Sequence, residues 1–199
     1  MTRLILVRHA NTNDNNAGRL SGHSDSVLSD KGRLQIEELT KFLEKQDIDT
    51  IYTTTSTRTK ETVKNVAKSK NIEIIQKNSL REINFGKFEG LTSKDIEINY
   101  KDEFDKMITD GDKYKFPEGE SLIDFYDRSI SELNDILKSD KDKNILICTH
   151  GGTIRNIISY LMSNSHKYHW NFKIDNASVT IIDIVDGFAI IDIMNQTKF

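Results

Sequence analysis

The sequence predicts an α/β fold: a three-layer α/β/α sandwich around a mostly parallel sheet with an antiparallel edge strand. Three observations lead there. Short runs rich in β-branched residues, at 3–7 (RLILV), 49–53 (DTIYT) and 144–149 (NILICT), are each followed by a helix-like stretch. Strands that alternate with helices build a parallel sheet covered on both faces. Two later runs, 179–185 (VTIIDIV) and 188–194 (FAIIDIM), are joined by Asp186-Gly187, a hairpin signal, so the far edge is expected to run antiparallel.

The helices follow from caps and periodicity. Asp30 is placed to cap a helix over 31–45, whose Leu34, Ile36, Leu39, Phe42 and Leu43 approximate one apolar face. Further helices are expected over 56–69, 121–138 and 152–162. Residues 92–120 read as a helical insertion, with the only proline, Pro117, in its polar FPEGES end. No repeat, low-complexity tract or linker interrupts the chain, so residues 1–199 are read as a single domain.

Composition narrows the function. A net charge of −3 argues against a nucleic-acid or membrane-surface binder, so no nucleic acid and no membrane is expected as a partner. The single cysteine, Cys148, rules out an internal disulfide. No apolar run reaches the roughly 18 residues of a membrane span. Met1 leads straight into a strand with no secretory signal, and a cytoplasmic location is expected. Oligomeric state has no signature in the sequence.

Ligands of open α/β sheets bind at the carboxyl ends of strands. The first strand ends on Arg8-His9. The second leads to Arg58 at a helix start. The run 144–149 ends in CTHGGTIR, with His150 at the tip and Gly151-Gly152 opening a helix. Glycine lets backbone approach closely, and a helix start offers free N–H groups to an anion. Arginine presents planar donors that match phosphate oxygens. Two histidines and two arginines on one sheet edge therefore suit a phosphate. Taken singly, each has a blander reading as a surface or core residue. Glu82, in LREINFGKFEG, reads on composition alone as part of a loop packed by Phe85 and Phe88. A metal site is not expected: His166 and His169 are three apart and His23 lies near Asp25, but no HExxH or CxxC accompanies them. GxxxxGK[ST] and GxSxG are absent too.

Taken together, Arg8-His9, GRLSGHSDSVLSDKG (18–32), Arg58 followed by TKET, LREINFGKFEG and THGGTIR occur in the order found in the histidine phosphatase superfamily, the phosphoglycerate mutase-like group. The resemblance covers nearly the whole chain. It implies a phosphomonoesterase acting through a phosphohistidine, with no cofactor and no metal, on a small-molecule phosphate monoester. It implies His9 as nucleophile, Glu82 as general acid, and Arg8, Arg58 and His150 as the phosphate pocket, joined by Asn15 and the Gly151 backbone. Glu82 must then begin protonated, which calls for burial or a nearby phosphate charge. The chain departs from the pattern at Ala10, where the family has Gly, and at Asn11, where it has Glu or Gln. Ala10 is harmless at negative φ and costly at positive φ.

Within the superfamily, the chain length and the segment 168–195 with SGHSD resemble the α-ribazole phosphatases of cobalamin assembly. That implies α-ribazole 5′-phosphate, or its adenosylcobalamin-linked form, as substrate. A phosphatase or mutase acting on small sugar phosphates, and a phospho-ligand binder with weakened catalysis, remain as alternatives. Leaving-group contacts are expected from the insertion and from HKYHWNF. Ser21, Gly22, Ser121 and Trp170 are candidates, with Tyr168, Phe172, Phe85 and Phe88 as a stacking wall. Ser121 has a second reading, the N-cap of the 121–138 helix, and that one is favoured.

Overall fold

The strand and helix signals close into one six-stranded sheet in the computed structural model, which describes residues 1–199. In chain order the elements are β1 (Thr2–Arg8), α1 (Asn13–Ala17), α2 (Asp30–Leu43), β2 (Thr50–Thr53), α3 (Thr57–Lys70), β3 (Ile74–Gln76), α4 (Ser93–Asn99), α5 (Lys101–Asp110), α6 (Leu122–Ser139), β4 (Asn144–Thr149), α7 (Gly151–Ser163), β5 (Val179–Val185) and β6 (Phe188–Gln196). The sheet order is β3-β2-β4-β1-β5-β6. Strands β1 to β4 pair in parallel, and β5 runs antiparallel to both β1 and β6. The antiparallel strand is thus one place in from the edge, because the hairpin turns β6 back outside it. That turn has positive φ at both Asp186 (49°) and Gly187 (84°), as a tight hairpin requires.

Side chains alternate across the central strands, and this splits the core in two. Leu4, Leu6, Ile145 and Ile147 face Leu133 and Ile136 of α6 and Ile154 and Ile157 of α7. Ile5, Val7, Leu146 and Cys148 face Ile36, Leu39 and Leu43 of α2 and Val63 and Val66 of α3. These are the two covered faces expected of the sandwich.

Some local expectations shift. Ser29, not Asp30, caps α2: its hydroxyl accepts the Gly32 N–H at 3.1 Å, and Asp30 is the first helical residue. Leu34 is 64% exposed; the buried stripe is Ile36, Leu39 and Leu43, and Leu34 lies about 200° from Ile36 around the helix. β3 is three residues long and α1 buries no side chain, so neither leaves a periodic signal. Residues 92–120 contain α4 and α5. They close around Phe88, Ile96 and Tyr114 as a separate small cluster, which removes the fully buried Phe88 from any stacking wall.

Candidate active site

The sheet order puts the carboxyl ends of β2, β4 and β1 side by side. Register then sets their level: Arg8 pairs with Thr149, and Thr53 with Cys148. His9, His150 and Thr54 therefore leave the sheet together. The rings of His9 and His150 meet edge to face, centroids 5.2 Å apart at 65°. Both histidines are buried. The carbonyl of Ala10 lies 2.8 Å from His9 Nδ1, so Nδ1–H donates there and Nε2 keeps its lone pair. Arg58 Nη2 donates to His150 Nδ1 at 3.3 Å, which leaves the His150 proton on Nε2, donated to Thr54 Oγ1 at 3.2 Å. Burial, with Arg58 and Arg8 close by, pushes both imidazoles well below their ordinary pKa, so both are neutral.

Arg58 is the second residue of α3 and only 1% exposed. Its guanidinium reaches into the 21–24 loop, donating to the carbonyls of Ser24 (2.7 Å), Gly22 (2.8 Å) and Ser21 (3.0 Å). Arg8, at the end of β1, donates from Nη1 to the Ile174 carbonyl at 2.6 Å. The Nε atoms of both arginines, and Ser21 Oγ, are buried with no partner in the protein. Such donors suit an incoming anion.

Glu82 lies at the start of α7. Its carboxylate accepts from Gly152 N at 2.9 Å and from Ile83 N at 3.1 Å. The contact needs glycine: a Cβ on Gly152 would stand 2.2 Å from Glu82 Oε1. Gly151 is less constrained, since its Cβ would stand 3.4 Å from Arg8 Nε. Asn15 is reached through α1. Its Oδ1 accepts from Thr12 N (3.1 Å) and from Asn176 Nδ2 (3.0 Å), leaving its own Nδ2 unpaired.

The structure thus gathers Arg8, His9, Asn15, Arg58, Glu82, His150 and Gly151, with Ser21 and Gly22 as the loop on Arg58. Ser121 stands apart as the N-cap of α6, its hydroxyl accepting from Asp124 N at 3.1 Å. Trp170 is 70% exposed, edge-on to His169 and beneath Arg155. Phe172 packs on the core. Ala10 is buried at a φ outside the left-handed region, so its methyl carries no backbone strain. His166 faces Asp112 and His169 bonds Asn156, and no group of three or more His, Cys, Asp or Glu is placed to hold a metal. No helix is long and apolar enough to cross a membrane.

Four supporting residues are not singled out by the sequence, although Thr62 closes TKET and Glu89 lies within LREINFGKFEG. Thr54 holds His150, and Thr62 Oγ1 accepts the Ala10 N–H at 2.9 Å. Asn176 Nδ2 bridges the His9 carbonyl (3.2 Å) and Asn15. Glu89 binds the far side of the 21–24 loop. Each is a common polar residue whose partner lies far away in sequence.

Comparison with known proteins places the chain in a family. The family model of the histidine phosphatase superfamily (branch 1) matches residues 4–197. The chain is 30% identical over 197 residues to phosphoserine phosphatase 1 of Hydrogenobacter thermophilus, covering 99% of this chain and 93% of that one. It is 26% identical to the adenosylcobalamin/alpha-ribazole phosphatase of Salmonella typhimurium, covering 98% and 96%. The solved alpha-ribazole phosphatase of Shigella flexneri superposes with a TM-score of 0.93 at 24% identity, covering 98% and 97%, and so shares the fold. The chain belongs to the histidine phosphatase superfamily, branch 1, and is a phosphoric monoester hydrolase.

Proposed function

We propose that His9 is the nucleophile of a two-step phosphomonoesterase. The observation that carries this is the lock of His9 Nδ1–H on the Ala10 carbonyl, which leaves a neutral Nε2 beside the buried Arg58 and the half-buried Arg8, each with a buried, unpaired Nε–H. In the first step His9 Nε2 bonds phosphorus, the bond to the ester oxygen breaks, and Glu82 gives that oxygen a proton. In the second, water attacks the phosphohistidine, Glu82 takes its proton, and inorganic phosphate leaves with the lone pair restored to Nε2.

Arg8, Arg58, the Asn15 amide and the Gly151 N–H carry the charge of the transferring oxygens. His150 holds Arg58 and packs against the nucleophile's ring, so it orients both. The arginines supply positive charge where a metal otherwise would, and chelation is expected to leave the rate unchanged.

The substrate is a small phosphate monoester. The 168–195 segment and the likeness to the Salmonella enzyme favour α-ribazole 5′-phosphate or the adenosylcobalamin 5′-phosphate form. The 30% identity to the Hydrogenobacter enzyme favours phosphoserine as a second reading. The weakened-binder alternative rested on Ala10, which is unstrained.

Steady-state kinetics on α-ribazole phosphate, phosphoserine, 3-phosphoglycerate and p-nitrophenyl phosphate, with and without chelator, tests these readings. The variant His9→Ala is expected to lose turnover and phosphoenzyme labelling together. Normal labelling in that variant, or loss of wild-type activity on chelation, contradicts the mechanism.

A further inference from the structure

The carboxylate of Glu89 collects five hydrogen bonds. Oε2 accepts from Gly22 N (2.9 Å), Ser24 N (3.2 Å) and Ser24 Oγ (2.7 Å). Oε1 accepts from His23 N (2.8 Å) and Phe85 N (3.1 Å). The opposite face of the same loop holds Arg58, through the carbonyls of Ser21, Gly22 and Ser24. Two peptide units are therefore shared. The unit joining Ser21 to Gly22, and the unit joining Gly22 to His23, each point C=O at Arg58 and N–H at Glu89.

A trans peptide carries these groups in opposite directions, with a dipole of about 3.5 D. Each shared unit thus lays its negative end on the cation and its positive end on the anion. The only direct ion pair of Arg58 is with Asp25 at 3.7 Å, and that carboxylate is half exposed. Glu89 is better shielded. Burial alone would raise its pKa, but the bonds from Ser24, His23 and Gly22 hold it below the ordinary value, so it is charged.

We propose that Glu89 is a positioning residue for phosphate binding: its charge, relayed through two oriented peptide units of the 21–24 loop, fixes the Arg58 guanidinium with Nε turned toward the phosphate. This rests on the reading of Arg58 as a phosphate ligand. Gly22 shows how little play the loop has, since a Cβ there would meet the Ile83 carbonyl at 1.8 Å.

The test is a double-mutant cycle between Glu89→Gln and Arg58→Ala, read by inhibition with orthovanadate on p-nitrophenyl phosphate hydrolysis or, for inactive variants, by direct vanadate binding. Losing one charged hydrogen-bond partner commonly weakens an interaction roughly ten- to hundredfold. Glu89→Gln is expected to weaken vanadate binding by that range in the wild-type background and by less than about threefold with Arg58→Ala. Unchanged vanadate affinity in Glu89→Gln overturns the proposal, as does an equal loss in both backgrounds. If Glu89→Gln does not fold, Ser24→Ala removes one of the five donors and no charge. A several-fold loss coupled to Arg58 then supports the proposal, and no loss overturns it. Failure of the wild-type protein to bind vanadate or turn over ester instead refutes the underlying reading, and the proposal with it.

Discussion

His9 and His150 stand edge to face at the ends of adjacent parallel strands, and neither His150 Nδ1, which faces Arg58, nor His9 Nε2 carries a proton. His150 turns its Nδ1 lone pair to Arg58, while His9 keeps Nε2 free. The pair is neutral because burial and two arginines make a third positive charge costly.

That neutrality sets the pH dependence of the reaction. Protonation of His9 would remove the proposed nucleophile, and its pKa is depressed below the ordinary 6.5. The acid limb of kcat/KM, which reports the free enzyme, is expected below pH 6.5. Arg58→Met removes one of the two cations, so the limb should move up toward 6.5, whatever happens to the rate. A wild-type limb at or above 6.5 contradicts the assignment.

The same burial ties stability to pH. His9, His150 and His169 are neutral in the folded chain, with His169 pushed down to about 4, mainly by burial and then by Arg155. Below about pH 6.5 the unfolded chain binds protons that the folded chain does not, so stability is full above that pH and falls as pH drops. For His169 the loss runs from 6.5 down to about 4, on the order of 3 kcal/mol. Urea unfolding at pH 7.5, 6 and 5 should show the decline, and His169→Gln should flatten it. A wild-type protein equally stable at pH 7.5 and 5 refutes this account.

The two glycines of THGGTIR should differ sharply. A methyl at Gly152 collides with Glu82 Oε1, whereas one at Gly151 only touches Arg8. Gly152→Ala is expected to lower kcat by roughly tenfold or more with KM little changed, because it displaces Glu82, the proposed proton donor. Gly151→Ala should stay within a few-fold of wild type. Comparable rates for the two variants argue against Glu82 as the acid.

Asn176 and Asn15 should behave as one unit. Asn176 Nδ2 fixes the Asn15 carbonyl oxygen, and with it the direction of the Asn15 amide. Asn176→Ala is therefore expected to raise KM much as Asn15→Ala does, by about three- to tenfold, and the double variant should add little. Additive losses show that Asn176 acts elsewhere.

Much of this protein is legible in its residues. The alternating strands, the Asp186-Gly187 turn and the Ser121 cap are local, and local chemistry decides them. Arg8-His9 and His150 follow from apolar runs that stop at charged or glycine-rich tips, because a strand end faces the ligand edge of a sheet. The assignment of Glu82 needed the family resemblance, since a single acid in a loop has no period. The tertiary structure alone decided the rest. Register, set by pairings from Arg8–Thr149 down to Arg3–Asn144, levels the two histidines. Burial discards their protons. Contacts spanning dozens of residues or more, Glu89 with the 21–24 loop and Asn176 with Asn15, aim the side chains that the sequence could only name. A side chain's identity is written locally, but its direction and charge depend on neighbours that only folding brings near.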